Sequence, residues 1–447
     1  MTPASGRRSA GRERRPCPGS RTGPILEPRE SPLPIHSHTF HNGLTLLAEP
    51  MPWLESVALA ILVPGGCARD PVDRLGMASL AAELMQRGSG QRDSRQFLED
   101  LERLGVDTSN SVAAQHASFS GAMPAESLPA ALSIFADLVR RPHLAEDQFE
   151  DAQQSCLQEV LAIEDDLSTR ALHRLRARHY PDPWGRASQG SIAGLEAATL
   201  DEVRRHWEAT YVPRGAILSI AGKFEWPVLQ AQVEAALGDW QGAEPLPIVA
   251  APAVGGCEHI EHDSAQTQIW LAYDSVPYSH PDFYEARAAI GVLSDGMSSR
   301  LFTEVREKRG LSYAVSAFCH SLLDRGAVFG YAGTSTERAQ ETLDVLVEEF
   351  VKLQAGVTEE ELVRLKVGLK SSLIMQQESS ASRCGVMALD WYHLGRVRSA
   401  EELGAIVDGL NVSAINAYLA AHPPRDFTVV TLGAKPLDLS CLKPTRG

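Results

Sequence analysis

The sequence predicts an α+β fold built from two homologous domains of roughly 210 residues each. With 447 residues, the chain is too long for one compact core. Strand-like and helix-like patterns occur in one order in the first half, and the second half repeats that order. Short segments also match between the halves: Glu126 with Glu337, and Phe149 with Leu362, offsets of 211 and 213 residues. Each domain is therefore expected to pack an antiparallel-rich sheet against helices, and the two to form one half of a clamshell.

The first half opens with strands and continues with helices. Asn42-Gly43 stands between apolar flanks and predicts a hairpin turn. The run "SVALAILVPGG" at 56–66 has the continuous apolar character of a buried strand. Helical spacing follows at 74–86, 93–104, 125–140 and 145–164, then a strand within 208–224 and a helix at 226–237.

The best linker in the chain is 240–256, which is rich in Pro, Ala and Gly. We therefore place an N-terminal domain at 35–239 and a C-terminal domain at 257–447. The second half is predicted to contain a strand at 267–276, helices at 282–294 and 298–309, a hairpin at 313–335, and helices at 336–354 and 358–377. A further helix is expected within 375–395.

Composition excludes several classes of protein. A net charge of −15 argues against a nucleic-acid or anionic-membrane surface. No apolar run approaches the length of a membrane span. The seven cysteines are scattered singly with no C-x-x-C, which favours a reducing compartment and a cytoplasmic location.

Residues 1–34 are rich in Arg, Pro, Gly and Ser and lack the apolar stretch of a secretory signal. They predict a disordered tail. An organelle presequence, which would place the protein in an organelle matrix, and a translation start set too far upstream stay open as alternatives.

Three stretches carry a resemblance to a known family. The first is "RLGMASLAAELMQRGSG" (74–90), a helix flanked by Gly76 and Gly88. The others are "HYPDPWGRASQGSIAGLEAATLDEVRRHWEATYVPRGAILSIAG" (179–222) and "GMSSRLFTEVREKRGLSYAVSA" (296–317). In this order, on a duplicated chain, they resemble the pitrilysin/insulinase-type (inverzincin) metallopeptidases, in particular the short processing-peptidase-like chains.

Active members of that family carry His-x-x-Glu-His on the first helix, where two His bind zinc and Glu is the general base. The resemblance places Ser79, Ala82 and Glu83 at these positions, and Glu159 at the position of the distal ligand. Ser is a poor zinc ligand and Ala cannot accept a proton, so we expect no metal and no cofactor in this chain. Two alternatives stay open: a weakly bound hard cation on Glu83 and Glu159, or substitute ligands from His116, His143 and His173.

In the second half, Arg306 and Tyr313 flank Gly310. The resemblance implies that such a pair holds the substrate carbonyl and stabilises the oxyanion, in dimeric members at the partner's zinc. The alternatives without a functional role are a solvated charge for Arg306 and an ordinary strand residue for Tyr313. The resemblance also implies peptide binding at a sheet edge near 107–121. There the family's Asn-Ala-x-Thr is replaced by Ser109, Asn110 and Val112, which weakens that expectation.

These observations favour a non-catalytic, substrate-binding subunit of a heterodimeric zinc peptidase. Its expected partners are a peptide substrate and a homologous subunit that carries the zinc. One alternative is a catalytically inactive scaffold protein without a peptidase role. A second alternative is an active metalloendopeptidase with non-standard ligands.

Overall fold

The computed structural model describes residues 34–442. The tail predicted for residues 1–34 therefore lies outside the described residues, apart from Pro34. The strands are β1 (His36–Thr39), β2 (Thr45–Pro50), β3 (Ser56–Val63), β4 (Gly88–Ser89), β5 (Arg92–Asp93), β6 (Asp107–Val112), β7 (Ala117–Pro124), β8 (Ile217–Gly222), β9 (Cys257–Glu261), β10 (Gln266–Ser275), β11 (Ser312–Ser321), β12 (Gly326–Ser335) and β13 (Thr428–Gly433).

The helices follow the same chain order. They are α1 (Met77–Met85), α2 (Ser94–Arg103), α3 (Leu128–Arg140), α4 (Glu146–Asp165), α5 (Leu167–His179), α6 (Ile192–Ala197), α7 (Leu200–Thr210), α8 (Trp226–Leu237), α9 (Phe283–Ser294), α10 (Ala339–Lys352), α11 (Glu359–Gln377), α12 (Ser380–Leu394), α13 (Ala400–Gly409) and α14 (Val412–Ala421). A π-helical segment spans Phe302–Lys308.

The first sheet has six strands in the order β1-β2-β8-β3-β7-β6. Strands β2 and β8 run parallel, and the other neighbours are antiparallel. The Asn42-Gly43 turn is confirmed: Gly43 has φ +92°, and the Leu44 amide donates to the Asn42 side chain at 3.1 Å. Positive φ is the conformation that glycine adopts at little cost.

The second sheet has five strands in the order β11-β12-β10-β13-β9, antiparallel except for β13 and β9. Each sheet packs one face on helices, so the predicted α+β class is confirmed. The strand predicted within 208–224 is confirmed as Ile217–Gly222, since α7 continues to Thr210.

One element prediction needs correction, the helix predicted at 298–309. Its central part is π-helical, and the Leu311 amide donates to the Val305 carbonyl at 2.9 Å. The wider turn keeps Leu301 and Val305 fully buried and brings the next residue, Arg306, beside Tyr313. Single π-turns of this kind recur at functional sites.

The second face of each sheet is covered by one helix from the opposite half of the chain. Helix α12 packs on β8, β3 and β2, and α5 packs on β13 and β10. Their N-caps, Asp166 and Ser379, are 213 residues apart, the same offset as the sequence repeat. The duplicated halves have thus exchanged equivalent helices.

Within residues 34–442, no single helix is both long and apolar enough to cross a membrane. The α13–α14 pair meets that test by length and composition only, and it is bent by 83°.

Candidate functional site

The start of α1 is fixed by a buried carboxylate. Asp70 accepts hydrogen bonds from the backbone amides of Gly76, at 2.8 Å, and Ala78, at 2.9 Å. Burial raises the pKa of Asp70 to about 7, and these hydrogen bonds partly oppose the rise. Gly76 has φ +105°, and a Cβ added to Gly190 would lie 2.2 Å from Gly76. The loop after α5, residues 180–190, is thereby held against the motif helix, a contact that no local sequence pattern indicated.

The residues at the motif positions serve packing and helix structure. Ser79 Oγ donates to the Ser188 carbonyl at 2.6 Å. Ala82 is buried in the core of the first half. The Glu83 carboxylate pairs with Arg87 one turn later, with Nη2 and Oε1 2.9 Å apart. Ser79 thus holds a loop, Ala82 fills space, and Glu83 is neutralised by a guanidinium.

Arg87 also connects α1 to α4. Its Nη2 donates to Ser155 Oγ at 2.9 Å and to the Asp151 carbonyl at 3.3 Å. Burial, followed by the charge of Glu83, raises the pKa of Glu159 on α4. The carboxylates of Glu83 and Glu159 therefore lie near one another, and the cation that pairs with Glu83 is the guanidinium of Arg87.

These residues do not fit zinc. Zinc needs imidazole, thiolate or carboxylate donors in a close tetrahedral set, and here a hydroxyl, a methyl group and a paired carboxylate occupy the motif. Among residues 34–442, no three or more His, Cys, Asp and Glu side chains lie close enough to hold a metal ion. The candidate substitutes are separately placed: His116 contacts Tyr392, His143 is bonded to the Gly90 carbonyl, and His173 is on α5.

Arg306 and Tyr313, in contrast, are brought together. The guanidinium carbon of Arg306 lies 4.8 Å from the Tyr313 ring centroid and 4.7 Å from that of Phe302. These are distances at which a cation is attracted to an aromatic face. Tyr313 sits at an irregularity at the start of β11 and is 85% exposed, so its phenol is open to a ligand.

Phe302 is a member of this cluster that the sequence analysis missed. It lies four residues before Arg306, a spacing that places two side chains on one face of a helix, and this spacing was a usable signal. Within the described part of the chain, no hydrogen bond, ion pair or ring contact joins Arg306 or Tyr313 to Ser79, Glu83 or Glu159.

The predicted edge is also present. Strand β6 lies at the end of the first sheet, and its six residues are mostly exposed. Asn110 Nδ2 donates to Gln86 Oε1 at 2.9 Å, which ties this edge to the end of α1. An unpaired edge offers backbone N–H and C=O groups to an added strand.

Comparisons with known proteins agree with this architecture. The family model "Insulinase (Peptidase family M16)" matches residues 47–187, and "Peptidase M16 inactive domain" matches 197–369. An uncharacterised zinc protease of Rickettsia felis is 26% identical over 376 residues, which cover 84% of this chain and 91% of that protein.

Two solved structures share the fold. The crystal structure of a peptidase M16 inactive domain from Pseudomonas fluorescens superposes with a TM-score of 0.83 and 23% identity, covering 91% of this chain and 99% of that one. A chain of complex III2 from Candida albicans does so with a TM-score of 0.76 and 16% identity, covering 90% and 96%.

Proposed function

Because the chain belongs to the insulinase-type (M16) peptidase family, we propose that it is the non-catalytic, substrate-binding subunit of a heterodimeric zinc peptidase. Its partner is a homologous chain that carries His-x-x-Glu-His. Zinc and the water it activates belong to that partner. This chain contributes Arg306 and Tyr313 to the shared active site.

The contrast between the two sites carries the proposal. The motif helix has no zinc ligands apart from a carboxylate already paired with Arg87. Arg306 and Tyr313 are in contact; Tyr313 is exposed and Arg306 is half-buried. A guanidinium and a phenol can both donate to a peptide carbonyl oxygen, and such donors stabilise the negative charge that develops there during hydrolysis.

The test is reconstitution with a homologous zinc-motif chain from the same organism. We expect neither chain to hydrolyse a quenched fluorescent peptide alone and the mixture to do so. In the mixture, Arg306→Ala should lower kcat by about 100-fold or more, and Tyr313→Phe by about 10-fold or more. Arg309→Ala, an exposed Arg in the same segment, is the matched control and should have little effect.

Two results would overturn this assignment. The first is a mixture that is inactive. The second is an active mixture that Arg306→Ala leaves unchanged. Zinc-dependent hydrolysis by the purified chain alone would favour the alternative of an active enzyme with non-standard ligands.

A scaffold role without peptidase activity is the second candidate. The observation that favours it is the likeness to a chain of complex III2 from Candida albicans. Such a role requires no Arg306–Tyr313 pair. Capture of a stable partner of unrelated fold, together with no effect of Arg306→Ala, would support it.

The proposal includes a reducing compartment, with the cytoplasm preferred. Six cysteines in the described part of the chain are free thiols. Burial raises the pKa of Cys67, Cys156 and Cys384 to about 12, so these thiols stay protonated and unreactive.

A further inference from the structure

A groove runs along α12 on the outer face of the first sheet. It has a volume of about 380 Å³. Its floor is formed by β3 and β7, one wall by α12 and the other rim by β6. Small side chains line it, among them Ala60, Ser118, Ser120, Gly385 and Ala388. We call this space the α12 groove.

The corresponding positions of the second sheet carry larger side chains. Pairing of β3 with β7 begins at Ser56–Pro124, and pairing of β10 with β12 begins at Gln266–Ser335. Counted from these pairs, Ala60 and Ser120 correspond to Trp270 and Tyr331, whose ring centroids lie 4.6 Å apart. Ser118 likewise corresponds to Phe329. Aromatic rings in the second half are thus replaced by methyl and hydroxyl groups in the first.

The covering helices differ in the same direction. With the N-caps Asp166 and Ser379 aligned, Leu172 and Leu175 of α5 correspond to Gly385 and Ala388 of α12. A Cβ added to Gly385 would meet no atom within 4 Å. At these positions the floor and the α12 wall both carry smaller side chains than their counterparts in the second half, and the space that remains is suited to an aromatic side chain from outside.

The rim of the groove has the chemistry of a peptide site. Strand β6 is an open edge, so a peptide can add there through main-chain hydrogen bonds and direct alternate side chains to the groove. Asp107, on β6, is the one charged side chain among the described residues that line the groove. His116 lies in the lining, where burial lowers its pKa to about 4 and its Nδ1 has no hydrogen-bond partner.

We propose that the α12 groove binds an aromatic side chain of an extended peptide that adds to β6 as a further strand. A basic residue two positions away on that peptide lies beside Asp107, because alternate residues of a strand share one face. The inference rests on the proposed function in taking a peptide as ligand, and it names the class of peptide: aromatic and basic residues spaced by one.

Two fluorescein-labelled nonapeptides test this, one with Phe-Thr-Lys and one with Lys-Thr-Phe at the centre, since an added strand can run either way. Their anisotropy is measured with the full chain alone. We expect at least one probe to bind about 10-fold tighter than its version with Ala in place of Phe. Replacement of Lys by Glu, or Asp107→Asn, should weaken binding about 3-fold, and less at high salt.

Gly385→Leu places on α12 the side chain that α5 has at the same position, and should weaken Phe-probe binding about 10-fold or more. Gly404→Leu on α13 is the matched control, since a Cβ there also meets no atom within 4 Å, and binding should be unchanged. Ser120→Tyr is a second filling variant, and circular dichroism checks that each variant is folded.

Equal affinity for the Phe and Ala probes, absence of binding, or full affinity in both folded filling variants would overturn the groove assignment. These outcomes are independent of the proposed function, because they use this chain without a partner. If the reconstituted peptidase is active but Gly385→Leu does not weaken binding of the Phe probe, only the groove assignment is refuted. If this chain binds the Phe probe selectively but reconstitutes no activity with the zinc-motif chain, only the subunit role is refuted.

Discussion

The outer face of each sheet is covered by one helix from the opposite half of the chain, but the packing beneath the two helices differs. On the second sheet, α5 closes over an aromatic cluster that includes Trp270 and Phe329. On the first sheet, α12 is fastened through a buried ion pair between Arg383 and Glu49, with Nη2 and Oε2 2.6 Å apart. The β7 and β6 side of that sheet stays open. Duplication therefore preserved the topology, while side-chain volume decided which half is a solid core and which keeps a groove.

Removing a large side chain from the packed outer face of the second sheet should have the largest effect on stability. Trp270 is buried, and its Nε1 donates to the Ser168 carbonyl at 3.0 Å. We expect Trp270→Ala to lower the free energy of unfolding by about 3–5 kcal/mol. Ser120→Ala, on the corresponding strand of the open half, should cost less than about 1 kcal/mol. Urea unfolding measures both, and a loss below about 1 kcal/mol for Trp270→Ala would contradict the view of this face as a packed core.

Removing the ion pair that holds α12 on the first sheet should have the second-largest effect on stability. Glu49→Ala leaves Arg383, whose side chain is 3% exposed, without its partner and should cost about 3 kcal/mol. The corresponding residue on α5 is Arg170, which pairs with Glu164 at side-chain exposures of 32% and 50%. Glu164→Ala should therefore cost less than about 1 kcal/mol. Similar losses for the two variants, read from denaturant midpoints, would show that α12 is not held by this pair.

Acid should loosen the contact between the halves. Tyr180 Oη of the first half and His320 Nδ1 of the second are hydrogen-bonded at 2.7 Å. Burial, and then the charge of Arg176, lowers the pKa of His320 to about 4. A lowered folded-state pKa gives stability that is full above pH 6.5 and is lost as the pH falls towards 4, about 2–3 kcal/mol here.

Thermal melts of the wild type and of His320→Gln between pH 7 and pH 4 check this prediction. The variant should show a shallower decline than the wild type, because it cannot bind the proton. Parallel curves would mean that His320 does not contribute to the acid response.

The smallest effect is expected on the motif helix. The Arg87–Glu83 pair joins side chains that are 20% and 31% exposed, and Arg87 also donates to Ser155 and Asp151, so Arg87→Ala should cost about 1 kcal/mol. Metal analysis after dialysis should find no stoichiometric zinc in the wild type or the variant. One zinc per chain in Arg87→Ala would show that the guanidinium alone keeps a metal site closed.

The sequence was sufficient for the parts of the fold that depend on local pattern. Apolar periodicity predicted most strands and helices, and the near-constant offset predicted the repeat. Helix α5 was not predicted, because Ala171 and Leu175 are its only buried residues and four arginines surround them. Its place is set by the sheet of the other half, and such long-range packing leaves a weak local pattern.

The candidate site residues were named mainly from resemblance, and their roles stay predictions. The structure does place Arg306 beside Tyr313. The spacing of Phe302 from Arg306 was a usable signal, whereas the Asp70 cap and the Arg87 pair became visible only with distances. The α12 groove could not be predicted, because it arises from missing volume at residues 60, 120 and 385, which strand register and helix exchange bring together. Missing side-chain volume leaves no recognisable pattern in the sequence.

The exchange of α5 and α12 also makes the first sheet depend on a late part of the chain. Domains are generally completed from the N-terminus as they emerge. Here the apolar outer face of the first sheet, with Leu47, Met51 and Ile217, packs against α12 through Cys384, Met387 and Ala388, with Trp391 and Tyr392 packed against the same cluster. During synthesis from the N-terminus, we therefore expect that face to stay uncovered until α12 has been made. A fragment that ends at the linker lacks α12, so we expect it to leave this apolar face uncovered.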